Sequence, residues 1–320
     1  MKILAPSYYP QFSCIADACR HNCCVGWEID IDEQSLEGYR QAEGLLGQRL
    51  RDSIVEEPAP HFCLTAEERC PFLNERNLCD LITEWGEGAL CQICADHPRF
   101  RNDWADRTEI GLGLCCEAAG RLILSQPYPM TLIPVGEEEE PEEEDFWELE
   151  LRAFRDEALS LVGNDALPLQ QRLDALLEWS GAADPGKEMG VWAARFLPLE
   201  RLDPAWGEFL ERLSQGAGNV EPGAGSLPEI WFARAAEYFL YRHLPGAMVD
   251  DRLEARTAFA VLSTRFLQAL SDVTGAKTLE DVVELARLYS SEIEYSDENL
   301  ETILEQLDCQ RELTDCAIDE

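Results

Sequence analysis

Apolar residues recur at helical spacing through most of the second half of the chain. Leu151, Phe154, Ala158 and Leu161 fall on one face of a helix. Further helices are predicted over 168–179, 205–213, 227–244 and 253–273. Thr278 with Asp281 has the form of a capping box, and Val282, Leu285, Ala286 and Tyr289 then share one face. Ser296 is placed to cap a last helix carrying Leu300, Ile303, Leu304 and Leu307. Gly and Pro gather between these segments, at 183–187 and 216–228. Residues 146–320 are expected to form an all-α domain, with no repeat of constant period.

The front of the chain has a different texture. Residues 27–32 alternate with period two, which predicts a short strand. Asp32 is placed to cap a helix over 33–54 with Leu36, Tyr39, Leu46 and Leu50 facing inward. Between 58 and 116, cysteines separate short helical pieces, and 118–124 is apolar and helical. The two textures meet at GEEEEPEEED, 136–145, where like charges repel and little apolar surface is available to bury. The expected class is mainly α. A small Cys-rich metal-binding domain with little β, 1–135, is followed by an acidic linker, 136–145, and an α-helical domain, 146–320.

At 320 residues the chain is long enough to bury a core without disulfides. The opening MKILAPSYYPQF has one lysine and no long apolar run, so it does not read as a secretory signal. No stretch reaches the roughly 18 apolar residues of a membrane span. A soluble, cytoplasmic protein is expected, with no membrane partner. Net charge is -37, of which 1–135 carries only -10. Such a field repels phosphate backbones, which argues against nucleic-acid binding, and attracts basic partners such as a lysine-bearing protein surface. The same acidity also serves plain solubility.

Of thirteen cysteines, eleven lie between Cys14 and Cys116. In a reducing compartment, thiols gathered in this way point to metal binding or redox chemistry rather than disulfides. The first group is Cys14, Cys19, Cys23 and Cys24. Thiolates are soft ligands that suit zinc or iron–sulfur clusters, and close spacing lets one loop wrap an ion at little closure entropy. Adjacent cysteines strain a single mononuclear site, so Cys23 and Cys24 suit either a cluster with a second site or one ligand beside an inert neighbour. The second group is Cys70 and Cys79, then the knuckle-spaced Cys91-x2-Cys94. The third is Cys115-Cys116, while Cys63 stands apart as the weakest ligand candidate.

The ordered motifs CIADACRHNCCVGWEIDID, CPFLNERNLC, LCQICADHPR and LCCEAAGRLIL resemble the flagellin lysine N-methylase family, one of a wider group of cysteine-cluster proteins described as zinc- or iron-chelating. The resemblance covers residues 8–125, and EYFLYR at 237–242 loosely resembles the family's aromatic helix. Where the family pattern is closer to Cys-Pro-Glu, this chain has Cys116 in place of proline, which favours Cys115 over Cys116 as a ligand. The ligand set so drawn is Cys14, Cys19, Cys23, Cys24, Cys70, Cys79, Cys91, Cys94 and Cys115.

The resemblance implies methyl transfer to lysine ε-amines of a protein, with flagellin as the expected substrate. It implies S-adenosylmethionine as donor and an iron–sulfur cluster, with zinc as the alternative metal. No full Gly-rich nucleotide loop is present, since the glycines at 86–88 and 111–113 lack the spacing. A lysine amine must be neutral to attack a methyl group. From a pKa of about 10.4, that costs about 4.6 kcal/mol at pH 7. A base or a desolvated slot has to offset it. His97 and His21 lie within the motifs as candidate bases, Glu117 as a group that orients an ammonium, and Arg99 as a carboxylate holder. The other reading is a non-catalytic iron- or zinc-binding or redox-sensing protein.

Overall fold

The structure, a computed structural model, describes residues 2–26, 29–137, 146–217 and 227–318, the side chains of 217 and 310–318 excepted. It is mainly α. Strand β1 (Lys2–Pro6) is followed by helices α1 (Glu33–Gln41) and α2 (Gly44–Asp52), then the short strands β2 (Ile54–Val55) and β3 (His61–Phe62). Helices α3 (Asp80–Trp85) and α4 (Gln92–Asp96) precede β4 (Arg99–Asp103), β5 (Arg107–Leu112), α5 (Glu117–Leu124) and β6 (Leu132–Glu137). Only helices follow among the described residues: α6 (Phe146–Val162), α7 (Leu169–Ser180), α8 (Met189–Phe196), α9 (Pro204–Arg212) and α10 (Glu229–His243). The last are α11 (Ala247–Asp250), α12 (Leu253–Thr274), α13 (Leu279–Tyr289) and α14 (Asp297–Ile318). No described helix is long and apolar enough to cross a membrane.

The chain forms two compact units. One comprises residues 1–12, 100–115 and 119–320, and the other 13–99 and 116–118. The boundary expected at 136–145 lies mostly outside the described residues. The units are drawn differently from that expectation, because β1, β4 and β5 belong with the helices rather than with the front cysteines.

In the helical unit a four-stranded sheet runs β4-β5-β1-β6. Strand β1 is parallel to β5, with Lys2 opposite Arg107, and antiparallel to β6, with Pro6 opposite Leu132. Glu109 of β5 is fully buried and is met by the Arg155 guanidinium of α6, whose Nη2 lies 3.1 Å from Glu109 Oε1. The pair ties sheet to helix, and its mutual hydrogen bonding offsets the burial of both charges. Helix α12 is buried nearly all round, with α7, α10, α13 and α14 packed on it. Its buried hydroxyls return to their own helix: Thr257, Ser263, Thr264 and Ser271 donate to the i−4 carbonyls at 2.7–2.8 Å. Buried Arg265 reaches outward to Asp174 and Asp184, at 2.6 Å each. The expected caps form: Thr278 and Asp281 close a capping box on α13, and Ser296 Oγ accepts from Asn299 N at 3.3 Å.

The cysteine-bearing unit has its own small core of Ile29, Ile31, Leu36, Tyr39, Leu46, Leu50, Phe62, Phe72 and Leu81. Each such side chain, once buried, contributes roughly 1.5–3 kcal/mol. The predicted helix over 33–54 is two helices. The chain turns at Ala42-Glu43, and Gly44 sits at φ +81°, a conformation most residues avoid. All four inward residues predicted for it are buried. The predicted strand at 27–32 reduces to one bridge, Asp30 to His61, with Trp27 and Glu28 outside the described residues. Ile29 and Ile31 still point into the core, so the alternation reported burial correctly but not strand pairing.

Candidate metal centre

Three separate segments bring thiols together in the cysteine-bearing unit. Cys24 O accepts from Cys70 N at 2.8 Å, and Val25 bridges to Arg69, so the first motif is pinned to the start of the second. Leu73 then bridges to Cys79 across a turn organised by Asn74. The Asn74 Oδ1 accepts from the amides of Arg76 (2.9 Å) and Leu78 (3.1 Å), and its Nδ2 donates to Asp80 at 2.9 Å. That turn carries Cys70 and Cys79 back toward each other. Cys91 precedes α4 and Cys94 lies in its first turn.

One carboxylate joins the first core helix to the CxxC segment. Asp32 Oδ1 accepts from Ser35 N at 2.9 Å, capping α1 as predicted, while Oδ2 accepts from Gln92 N at 2.8 Å, capping α4. Partial burial raises the Asp32 pKa, but these amide donors outweigh it and hold the carboxyl below its usual range. Tyr39 of α1, expected only as a core residue, donates its hydroxyl to Ala89 O at 2.8 Å and also hydrogen-bonds with Cys91.

The described cysteines from Cys14 to Cys309 are thiols, with no disulfide among them. Eight of the nine predicted ligands lie in this unit and act on one another. Cys19 feels Cys14 and Cys23. Cys24 feels Cys23, Cys70 and Cys94. Cys70 feels Cys79 and Cys91, and Cys79 feels Cys23. Burial, with these neighbours adding, pushes the Cys70 thiol up to about 11. Cys23 and Cys91 are lowered by hydrogen bonds from their neighbours Cys24 and Cys94, which are raised in turn. Thiolates so close together repel, and a cation among them would lower all their pKa values at once. The donor chemistry therefore fits a soft metal ion or cluster. Among the described residues, however, no three His, Cys, Asp or Glu side chains are disposed to hold one metal ion.

The remaining candidates fall as follows. Cys115 lies in the other unit, hydrogen-bonded to Tyr295. A Cβ on Gly113 would come within 2.4 Å of Tyr295 Oη and 3.2 Å of Cys115 Sγ, so glycine is what lets the backbone pass. Arg242 stands over the Tyr295 ring at 4.6 Å, and its Nη1 donates to Tyr238 Oη at 2.9 Å. Glu117 is buried and engaged by Arg20, whose backbone N and Nε donate to its two oxygens at 3.1 and 3.2 Å. His97 is held down at about 4 by burial, with Arg99 adding, so its imidazole is neutral at pH 7. Arg99 donates to Ala95 O at 3.1 Å, and the His21 carbonyl accepts from Cys19 Sγ at 3.2 Å. Cys63 is exposed, with Leu64 O its neighbour at 3.8 Å.

Fold and site thus define a mainly α protein with a separate thiol-gathering unit. Over 137 residues the chain is 28% identical to the lysine-N-methylase of Salmonella typhimurium, a match covering 41% of this chain and 34% of that protein. The lysine-N-methylase of Salmonella choleraesuis matches to the same extent. The flagellar biosynthetic protein FliU of Salmonella muenchen is 27% identical over 137 residues, 41% of this chain and 81% of that protein. The chain spans about a third of the length of the two lysine-N-methylases it matches. No protein-family model matches it, and no solved structure does.

Proposed function

We propose that the chain is a protein lysine N-methylase that takes its methyl group from S-adenosylmethionine and acts on a protein with exposed lysines, flagellin first among them. The observation that carries this is the partial likeness to lysine-N-methylases. The gathering of eight thiols supports a metal centre as part of it. An iron–sulfur cluster, or zinc in its place, would take its thiolates from among Cys14, Cys19, Cys23, Cys24, Cys70, Cys79, Cys91 and Cys94. Cys115 stands with Tyr295 and Arg242 instead. Among these eight thiols an iron–sulfur cluster would supply Lewis-acidic iron. The chain's own residues order its ligands: Asp32 fixes α4, Asn74 shapes the turn between Cys70 and Cys79, and the Arg20–Glu117 pair anchors the first motif. His97, which follows α4, is held neutral by burial.

The test is transfer of labelled methyl groups from S-adenosylmethionine to purified flagellin by protein prepared without oxygen. Lysine-bound label that disappears in a Cys94→Ser variant is the expected result. Full incorporation by metal-free protein would overturn the metal centre's part in it, and no incorporation would overturn the methylase. A non-catalytic iron- or zinc-binding or redox-sensing protein is the second reading, favoured by the short share of the methylases that the match covers.

A further inference from the structure

In the helical unit, Tyr8, Tyr128, Pro129, Met130, Arg234 and Glu237 border a small cavity of about 10 Å³, room for one water-sized group. Glu237 projects from α10 with its side chain 3% exposed. Its Oε2 accepts from Met130 N at 3.0 Å and from Arg234 Nη1 at 3.2 Å. Its Oε1 is 3.0 Å from Arg234 Nη1 yet makes no hydrogen bond, and the equally buried Arg234 Nε makes none either. Arg234 Nη2 is spent on both oxygens of Asp165 at 2.8 Å, and Arg172 Nη1 reaches the same carboxylate at 2.8 Å. Two guanidinium groups are therefore matched by two carboxylates, and Glu237 Oε1 is left over as an acceptor, as Arg234 Nε and Arg172 Nε are left over as donors. Unsatisfied buried acceptors are uncommon, and Glu237 and Arg234 both line the cavity.

We infer that this cavity is an amine slot, in which the head of a primary alkylamine docks on Glu237 Oε1 while its stem crosses Pro129 and Tyr128. Three features select that chemistry. The space fits a head the size of water, its unpartnered groups include a carboxylate oxygen that a donor can meet, and Tyr128 and Pro129 beside it offer apolar surface, with Tyr128 77% exposed. The site also deals with the amine's proton. Burial, with Asp165 adding and Arg234, the Met130 amide and Arg172 opposing, pushes the Glu237 carboxyl up to about 7. As the ammonium enters, one N–H bond breaks and an O–H bond forms on Oε1. The freed electron pair stays on nitrogen, and both partners become neutral, the state a desolvated site favours. That the amine is a lysine side chain rests on the methylase reading. That it is an amine does not.

The test is calorimetric titration of the full chain at neutral pH with n-butylammonium, and with n-butanol as the same shape without charge. Saturable binding of the ammonium is expected, weaker by about tenfold or more for n-butanol and for Glu237→Gln. No binding, equal binding of n-butanol, or equal binding by the variant overturns the assignment. Should Glu237→Gln fail to fold, Tyr128→Ala alters an exposed side chain and is expected to weaken binding several-fold. Unchanged affinity in that variant is equally decisive against the slot. The titration needs neither metal nor methyl donor. Amine binding without methyl transfer therefore counts against the methylase alone, and full methyl transfer by Glu237→Gln counts against the slot alone.

Discussion

Asp32→Ala removes two helix caps with one substitution. Its carboxylate accepts from Ser35 N at 2.9 Å and from Gln92 N at 2.8 Å, and so serves the first turns of both α1 and α4. Loss of an N-cap costs about 1 kcal/mol, so the cysteine-bearing unit is expected to lose about 2 kcal/mol. Asp32→Asn keeps a single carbonyl acceptor, which serves one amide well, and is expected to cost about half as much. With a urea m-value of about 2 kcal/mol per molar, the alanine variant should unfold at about 1 M less urea. Helix α4 has five residues and its own N-cap position, Cys91, caps nothing with its side chain, so the effect should concentrate there. Amide hydrogen exchange reads this directly: Gln92 and its neighbours in α4 should exchange faster along with Ser35. Because α4 holds Cys94 and follows Cys91, bound metal should also be retained less well, by about tenfold if about 1.4 kcal/mol of the loss falls on the ligands. An unfolding midpoint equal to wild type, or a Gln92 amide as protected as before, would refute the double cap.

Three further outcomes are expected. Cys94→Ser and Cys19→Ser should each lose metal as measured by elemental analysis, whereas Cys309→Ser, exposed on α14, should lose none. His97 is held at about 4 against about 6.5 in an unfolded chain. The unfolded state therefore takes the proton first, and this contribution is whole above pH 6.5 and is lost as pH falls toward 4. Between pH 7 and 4.5, metal-free wild type should lose about 2 kcal/mol more than His97→Gln in urea unfolding. Glu294 is fully buried and accepts from Tyr238 Oη at 3.0 Å, lies 2.6 Å from His243 Nε2 and 3.4 Å from Arg242 Nε. Glu294→Ala should cost about 3–5 kcal/mol in thermal unfolding, because it strands the Arg242 charge.

The helices with clean spacing and local caps could be read from the residues alone. Thr278 and Asp281 sit three apart and cap α13 without help from elsewhere. What escaped reading depends on distant partners. Strand β5 does not alternate, because Thr108 and Glu109 are both buried, and Glu109 can be buried only because Arg155 arrives from α6. Neighbouring β1 was unread for a related reason: KILAP becomes a strand by pairing with residues more than a hundred positions away. Helix α8 was missed as well, an eight-residue piece between turns. Close cysteine spacing is a local signal, and eight of the nine cysteines singled out from it lie in one unit. The contact of Cys115 with Tyr295 could not be read from the residues, since Tyr295 lies far along the chain. Nor did the Asp32 carboxylate betray its second duty at Gln92, sixty residues on.

X-ray absorption at the metal edge of protein purified without oxygen tests the central claim most directly. Iron or zinc at about one site per chain with sulfur neighbours, diminished in Cys94→Ser, is the predicted result. Absence of bound metal, or a shell of oxygen and nitrogen alone, would contradict it.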